Sequence, residues 1–331
     1  MKKILVTGGD GRMGNVLVRH LLDRDYQVRV MALDPSNPTQ SLAGLPIEMV
    51  KGDVRNVPEV QAALDGIDIV FHLAAKISLY PDRDGSVWAT NVEGTRNMAS
   101  LALEAGVEKF IHCSSHAALE KHPYDIPLDE TRPLAFDDKT VYHRSKAHGE
   151  QVILDFIEKG LPALIVNPGT IIGPYDFGTS LIGQALIDLV NGKLSVIMEG
   201  SSDYSDARDV ADGMIGAMEK GEVGERYFLT GHLLTMRELA QLLEKITQQK
   251  MPKTVLPIWM MYALLPFIQF GAWLKGEKAL FTKDMLYAAQ SNPVVLHDKA
   301  KAAFGFEPRA LELAFSDSIQ WYKDRNLISR K

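Results

Sequence analysis

Tyr142 and Lys146 stand four residues apart in VYHRSK, one turn of a helix, which puts both side chains on one face. Held near the Lys146 ammonium, the phenolate form of Tyr142 is favoured, and the phenol's pKa falls from about 10 towards working pH. A tyrosine tuned in this way serves as general acid or base. Upstream, FIHCSS closes on Ser114 and Ser115, and the Ser115 hydroxyl can hold a carbonyl or hydroxyl oxygen in line for proton transfer. Taken alone, Tyr-x-x-x-Lys occurs by chance on many surface helices, so the pair takes its meaning from the rest of the chain.

A second cluster lies near the start. TGGDGRMG, residues 7–14, sets Gly8, Gly9, Gly11 and Gly14 between the apolar run Ile4, Leu5, Val6 and the helix-like NVLVRHLLDRD. Glycine is costly in regular structure, so this density at a strand-to-helix junction predicts a sharp turn that lets something approach closely. A phosphate suits that place, because the first N–H groups of a helix are unpaired and carry the positive end of its dipole. The spacing of Gly8, Gly11 and Gly14 is G-x-x-G-x-x-G, one residue wider than the general dinucleotide fingerprint, and a glycine turn without ligand reads the same way.

The elements that must position these residues are legible as a pattern. MKKILVTG, YQVRVMAL, IEMVKGD, DIVFHLAA, EKFIHCSS and PALIVNPG are short, rich in Val, Ile or Phe, and end in turn residues. Helix-like stretches at 15–24, 57–64, 91–105 and 140–159 lie between them. Strands alternating with helices predict a parallel, doubly wound sheet, whose ligands sit beyond the carboxyl ends of the strands. The alternation thins after Pro174: helices are expected at 181–191, after Asp209 and from Thr235, with one further strand in GERYFLTG. The predicted organisation is a nucleotide-binding unit at 1–175 with return segments near 205–230, and a smaller, mostly helical lobe at 176–204 and 231–331.

With 331 residues, 46% hydrophobic and 24% charged, the chain has the composition of an ordinary soluble protein with room for a large core. A net charge of −6 without a dense Lys/Arg run speaks against a nucleic-acid surface and for a small-molecule partner. The single Cys113 cannot form an intramolecular disulfide, which fits a reducing cytoplasmic setting, and the apolar run of MKKILV stops too early for an export signal. His72, His112 and His116 lack the spacing of a metal site, so no metal is expected. One stretch stands apart: residues 257–274 carry no charge and include Trp259 and Trp273. Interrupted by Pro266, Gln269 and Gly271 and short for a membrane span, it reads first as a buried helix pair over an apolar substrate pocket, then as plain core, and last as a membrane-surface contact, so no membrane partner is expected.

In order along the chain, TGGDGRMG, GDV at 52–54, HLAA at 72–75, NVEGTRNM from Asn91, CSS, YHRSK and NPGTIIGP resemble the extended short-chain dehydrogenase/reductases. The likeness covers nearly the whole chain and is greatest to the branch of dihydroflavonol-4-reductase-like and 3β-hydroxysteroid-dehydrogenase-like proteins, which also holds NAD-dependent epimerases and dehydratases. It implies a Rossmann-type α/β fold and a catalytic set of Ser115, Tyr142 and Lys146, with Lys146 also gripping the cofactor ribose. It places the pyrophosphate on Gly8, Gly11, Arg12, Met13 and Gly14, the adenine near Asp53 and Val54, and the ribose and nicotinamide against Leu73, Ala74 and Ala75. Asn167, Pro168 and Thr170 would border the carboxamide. Asn91 would support a proton-relay water or simply cap its helix, and Arg208 would face a polar substrate or pair with Asp206 or Asp209. The resemblance also implies a homodimer formed through the Tyr142 and Asn91 helices, with His143 and Arg144 turned to solvent or to the partner.

Two departures from the family pattern refine these expectations. Leu33 stands after the second strand where the branch has an arginine for the 2′-phosphate of NADP, and Asp34 follows, favouring the free ribose of NAD. Arg12 and Arg29 leave NADP open. Thr170 replaces the asparagine of nucleotide-sugar epimerases. The leading expectation is an NAD(P)-dependent oxidoreductase acting on the carbonyl or secondary alcohol of a small, fairly apolar molecule. A nucleotide-sugar epimerase or dehydratase that keeps its NAD is the alternative, and a non-catalytic nucleotide sensor is the third reading.

Overall fold

The structure, a computed structural model, describes residues 2–34, 40–78, 80–274, 282–290, 292 and 294–328. Its strands are β1 (Lys3–Thr7), β2 (Gln27–Ala32), β3 (Glu48–Lys51), β4 (Ile69–His72), β5 (Lys109–Cys113), β6 (Ala163–Pro168), β7 (Thr170–Ile172), β8 (Ile197–Met198), β9 (Ser201–Asp206), β10 (Arg226–Leu229), β11 (His232–Thr235) and β12 (Val255–Leu256). The helices are α1 (Arg12–Leu22), α2 (Val57–Leu64), α3 (Ser86–Trp88), α4 (Thr95–Ala105), α5 (Val141–Ile157), α6 (Leu181–Val190), α7 (Ala207–Lys220), α8 (Met236–Thr247), α9 (Ile258–Leu274), α10 (Lys283–Ala288), α11 (Asp298–Phe304) and α12 (Leu311–Asp324). Seven strands form a parallel sheet in the order β10-β6-β5-β4-β1-β2-β3.

The apolar runs of β1, β4, β5 and β6 are buried on both faces, as a parallel sheet covered by helices requires. Val16, Leu17 and Leu21 of α1 and Val210 and Met214 of α7 fill one side, while α2, α4 and α5 fill the other around Met98, Phe110 and Ile153. The chain order reverses between β1 and β4, which opens a crevice at their carboxyl ends. The smaller lobe has its own core from α6, α8, α12 and β9, centred on Leu186, Tyr204, Leu243 and Phe315. It also includes short sheets, among them β11-β9-β7. Ahead of α7 lies β9, a strand that the sequence reading did not anticipate, with Asp206 capping α7 through its carboxylate on the Arg208 amide.

Three local outcomes differ from the sequence reading. The stretch 91–105 begins as a π-helical turn at Ala89–Gly94 before α4 starts. The widened turn brings Gly94 so close to Val54 that a Cβ on it would lie 2.5 Å from the Val54 methyl. Asn91 sits inside that turn and is not the cap of α4, whose N-cap is Gly94. The apolar stretch 257–274 is one helix, not a buried pair. Met261 and Leu265 are buried on Leu286, but Trp259 and Phe267 are 66% and 74% exposed, because packing partners reach only one flank.

Candidate active site

Thr7 ends β1, and Gly8 follows at φ +68°, a left-handed conformation that glycine adopts without strain. A Cβ there would lie 2.9 Å from the Ala74 nitrogen, and one on Gly14 would lie 2.1 Å from the Gly8 carbonyl oxygen. The loop is therefore closed to side chains. Gly11 is the N-cap of α1 and offers no capping side chain, so the amides of the first turn have no intrahelical acceptor. This cradle, with α1's dipole behind it, fits a pyrophosphate. The Arg12 side chain is engaged elsewhere: it donates to Ser180 and lies 3.4 Å from the Asp176 carboxylate. Met13 is packed into the core beneath the loop.

At the ends of β2 and β3, Leu33, Lys51, Asp53, Arg55, Asn56 and Glu59 line a cavity of about 450 Å³. Leu33 is 67% exposed at its rim. Asp53, expected at the adenine, binds Arg55 through Nε at 2.9 Å and Nη2 at 2.5 Å, and this partner holds its carboxyl below the ordinary range. Val54 is buried against Gly94. Arg29 lies away from the rim, donating to the Ala63 and Asp65 carbonyls and pairing with Glu48 at 2.8 Å. Neither Arg12 nor Arg29 is placed to meet a ribose phosphate.

Beyond β4, Leu73, Ala74 and Ala75 run along the crevice half-buried. Thr7 orders this edge: its Oγ1 accepts from the Ala74 amide at 3.1 Å and lies 2.8 Å from His72 Nδ1. Sequence reasoning passed over Thr7. Its small, hydroxyl-bearing side chain directly before the first glycine was the available signal. His72 stacks on His112 with ring centroids 5.5 Å apart. Burial pushes His72 down to about 3, with the Lys146 charge adding to it, and drives His112 well below its ordinary range. Both rings are neutral packing elements, and among the described residues no His, Cys, Asp and Glu cluster could hold a metal.

Tyr142 and Lys146 both lie on α5, which starts where the Thr140 hydroxyl accepts from the His143 amide at 3.2 Å. Lys146 is buried, and its Nζ donates to the Cys113 carbonyl at 3.0 Å. Burial lowers the Lys146 pKa against the opposing pull of Cys113 and Glu150. The Tyr142 phenol, expected to fall towards working pH, is instead pushed up by burial and by Cys113, while its hydrogen bond with the Ser115 side chain draws it down. Ser115 also accepts from the Ala117 amide at 3.2 Å. The three residues therefore meet at the end of β5. The Cys113 thiol is pushed up to about 11 by burial, so it is no nucleophile at neutral pH.

Several neighbours turn out to be braces. Asn91 donates to the Ser145 hydroxyl at 2.9 Å and clasps the Lys76 main chain, and Ser145 donates to the Tyr142 carbonyl at 2.8 Å. Asn167, expected beside the carboxamide, is fully buried and donates to the Ser115 carbonyl at 3.0 Å and to Glu150 at 2.9 Å. Pro168 is buried, and half-buried Thr170 starts β7 just beyond it. His143, expected at the surface, is buried 3.1 Å from Asp138, to which Tyr287 donates at 2.9 Å. Tyr287 comes from the distant α10, and no local pattern announces it. Arg208 takes the ion-pair role, with Asp206 and Asp317 at 2.7 Å each, while Asp209 pairs with Arg309 instead.

The sequence model of the NAD dependent epimerase/dehydratase family matches residues 4–229, more than half the chain. The chain belongs to that family. As a member of it, the chain is an enzyme of the extended short-chain dehydrogenase/reductase type with a Rossmann-type fold, and its cofactor is NAD. It is 31% identical over 326 residues to sterol demethylase protein B of Methylococcus capsulatus, covering 98% of this chain and 99% of that one. It is 30% identical to a putative dihydroflavonol 4-reductase of Synechocystis sp., covering 98% and 95%. The crystal structure of gox2253 superposes with a TM-score of 0.87 at 33% identity, over 99% of this chain and all of that one.

Proposed function

We propose that this family member is an oxidoreductase that interconverts a carbonyl and a secondary alcohol on a small, fairly apolar substrate, with Tyr142 as general acid and base. The observation that carries the reading is the meeting of Tyr142, Ser115 and Lys146 at the end of β5. NAD, when bound, supplies or accepts the hydride. Amides of Gly11, Arg12, Met13 and Gly14 would hold its pyrophosphate, Lys146 and Asp34 its ribose hydroxyls, and Leu73, Ala74, Ala75, Pro168 and Thr170 its nicotinamide half. Asp53 and Val54 border the adenine end.

The chain's own part is proton handling. The Tyr142 Oη keeps its proton in the buried site and gives it to the substrate oxygen during reduction. In oxidation the phenolate takes that proton back, steadied by the nearby Lys146 ammonium. Ser115 orients the reacting oxygen through its hydroxyl. Asn91 and Ser145 hold the first turn of α5, so Tyr142 is positioned before substrate arrives.

Support for an apolar substrate comes from the relatives named for a sterol demethylase and a dihydroflavonol reductase, and from Thr170 in place of the sugar-nucleotide asparagine. Tyr142→Phe removes the proton and leaves the nucleotide cradle intact, so turnover should fall on the order of a hundredfold or more while NAD affinity persists. Lys146→Met should weaken both. NADH oxidation with a panel of apolar ketones, alongside NAD titration, reads the two effects. Full activity of Tyr142→Phe overturns the mechanism, and isomerisation of a nucleotide sugar without net NADH turnover assigns the chain to the epimerase reaction.

A further inference from the structure

Helix α9 departs from the rest of the surface. No charged residue occurs from Pro257 to Leu274, so the helix lacks the polar face that a surface helix normally turns to water. One flank is covered, since Met261 and Leu265 pack with Leu286 and against Met198 and Leu256. On the other, Trp259, Phe267 and Leu274 are 66%, 74% and 65% exposed. At 3.6 residues per turn these three fall within a sector of roughly 80°. They form a single apolar stripe.

Lysines and carboxylates both adjoin the helix. Lys250 and Lys253 precede α9 and Lys283 opens α10 beside it; all three are exposed and carry no ion pair with a described residue. Lys245, shortly before them, is instead paired with Glu312. Glu199, whose carboxylate accepts from the Ile258 amide at 3.3 Å, and Asp284, within electrostatic reach of Tyr262, stand against the three unpaired ammonium groups and leave them in slight excess. Apolar side chains with a tryptophan near one end and a slight excess of neighbouring lysines suit the boundary between acyl chains and anionic headgroups. The 17 residues of α9 extend about 25 Å, less than the roughly 30 Å hydrocarbon core. Among the described residues no helix is long and apolar enough to cross a membrane. The stripe is suited to lying in the interface.

Position connects the stripe to the chemistry. Tyr262 of α9 lies within electrostatic reach of Tyr124 and Tyr287, and Tyr287 donates to Asp138 just ahead of the helix that carries Tyr142. We propose that α9 is a peripheral docking helix that lays Trp259, Phe267 and Leu274 into an anionic lipid leaflet beside the mouth of the active site. Entry of an apolar substrate from that leaflet rests on the oxidoreductase reading; the docking does not.

Flotation of the purified full chain, without substrate, tests it on vesicles of phosphatidylcholine alone and of phosphatidylcholine with phosphatidylglycerol in equal parts. The wild type should float with the anionic vesicles and several-fold less with the neutral ones. Trp259→Ser/Phe267→Ser and, separately, Lys250→Glu/Lys253→Glu/Lys283→Glu should each lower binding about tenfold or more. Circular dichroism and NAD affinity should stay as in the wild type, because every changed residue is exposed. Absence of wild-type flotation, or flotation of either variant equal to that of the wild type, overturns the proposal. A dimer that the serine variant converts to monomer, without lipid binding, overturns it and assigns the stripe to a second copy of the chain. Loss of the ketone reductase reading with flotation intact leaves the docking standing.

Discussion

At the turn from β1 to α1 a single added methyl on Gly14 would lie 2.1 Å from a carbonyl oxygen, whereas on α9 whole aromatic side chains at 259 and 267 stand in the open. The turn is made of backbone whose positions side chains can only spoil. Around α9 and α10 the contacts instead join side chains from distant segments, such as Tyr287 on Asp138 and Leu286 on Met261. The first construction tolerates almost no change; the second leaves room for side chains to vary. The contrast separates a rigid backbone turn from an adjustable assembly of side chains within one chain.

Acid is the harshest way to probe the closed side. His72 and His112 are buried and neutral, with folded pKa values below the ordinary 6.5. Below about 6.5 the unfolded chain binds protons at these rings that the folded chain refuses, so stability is complete above that pH and declines as pH falls towards about 3, the value for His72. Near pH 5 the two rings together should cost about 2.7 kcal/mol per pH unit. Urea unfolding followed between pH 7 and pH 5 measures the slope, and a flat profile would mean that both rings are reached by water.

Gly14→Ala should raise the NAD dissociation constant on the order of a hundredfold, because the loop or α1 must move to admit the methyl. Calorimetric titration measures that constant, and near-normal affinity would show that the cradle yields. Asp34→Ala should have a smaller effect, narrowing the preference for NAD over NADP about tenfold, since one exposed carboxylate at the end of β2 is removed. Parallel titration with both nucleotides checks this, and an unchanged ratio moves discrimination to Lys51 and Arg55 in the neighbouring cavity. At the open extreme, Phe267→Ser should shift lipid-free unfolding by less than about 0.5 kcal/mol, because its ring meets mainly solvent. A clear destabilisation in a chemical melt would reveal an unseen partner for the ring.

What could be read in advance follows the same division. The seven parallel strands and the glycine cradle rest on local signals: apolar runs of strand length, and glycines where a turn and a helix start coincide. Ser115, Tyr142 and Lys146 were visible because a four-residue helical spacing and a strand end place them together. Asn167 and His143 were misplaced because burial depends on what arrives from far along the chain, Glu150 in one case and Tyr287 in the other. The exposure of Trp259 was hidden for the same reason. Hydrophobicity states what a residue would gain by burial, and only the packing of α10 and β8 decides which flank of α9 obtains it.

The sheet's last strand has a bearing on how the protein is made. β10 lies beside β6 in parallel register, from Arg226 opposite Ile165 to Leu229 opposite Pro168, although β7, α6, β8, β9 and α7 intervene in the chain. During synthesis the edge of β6 therefore waits with open amides until the ribosome has delivered much of the smaller lobe, and such an edge invites pairing with other chains. The pair of half-buried Arg226 with buried Glu150 and the fully buried Phe228 then close it. A nascent chain halted after β6 would carry Ser115, Tyr142 and Lys146 and still lack a finished sheet on which to hold them.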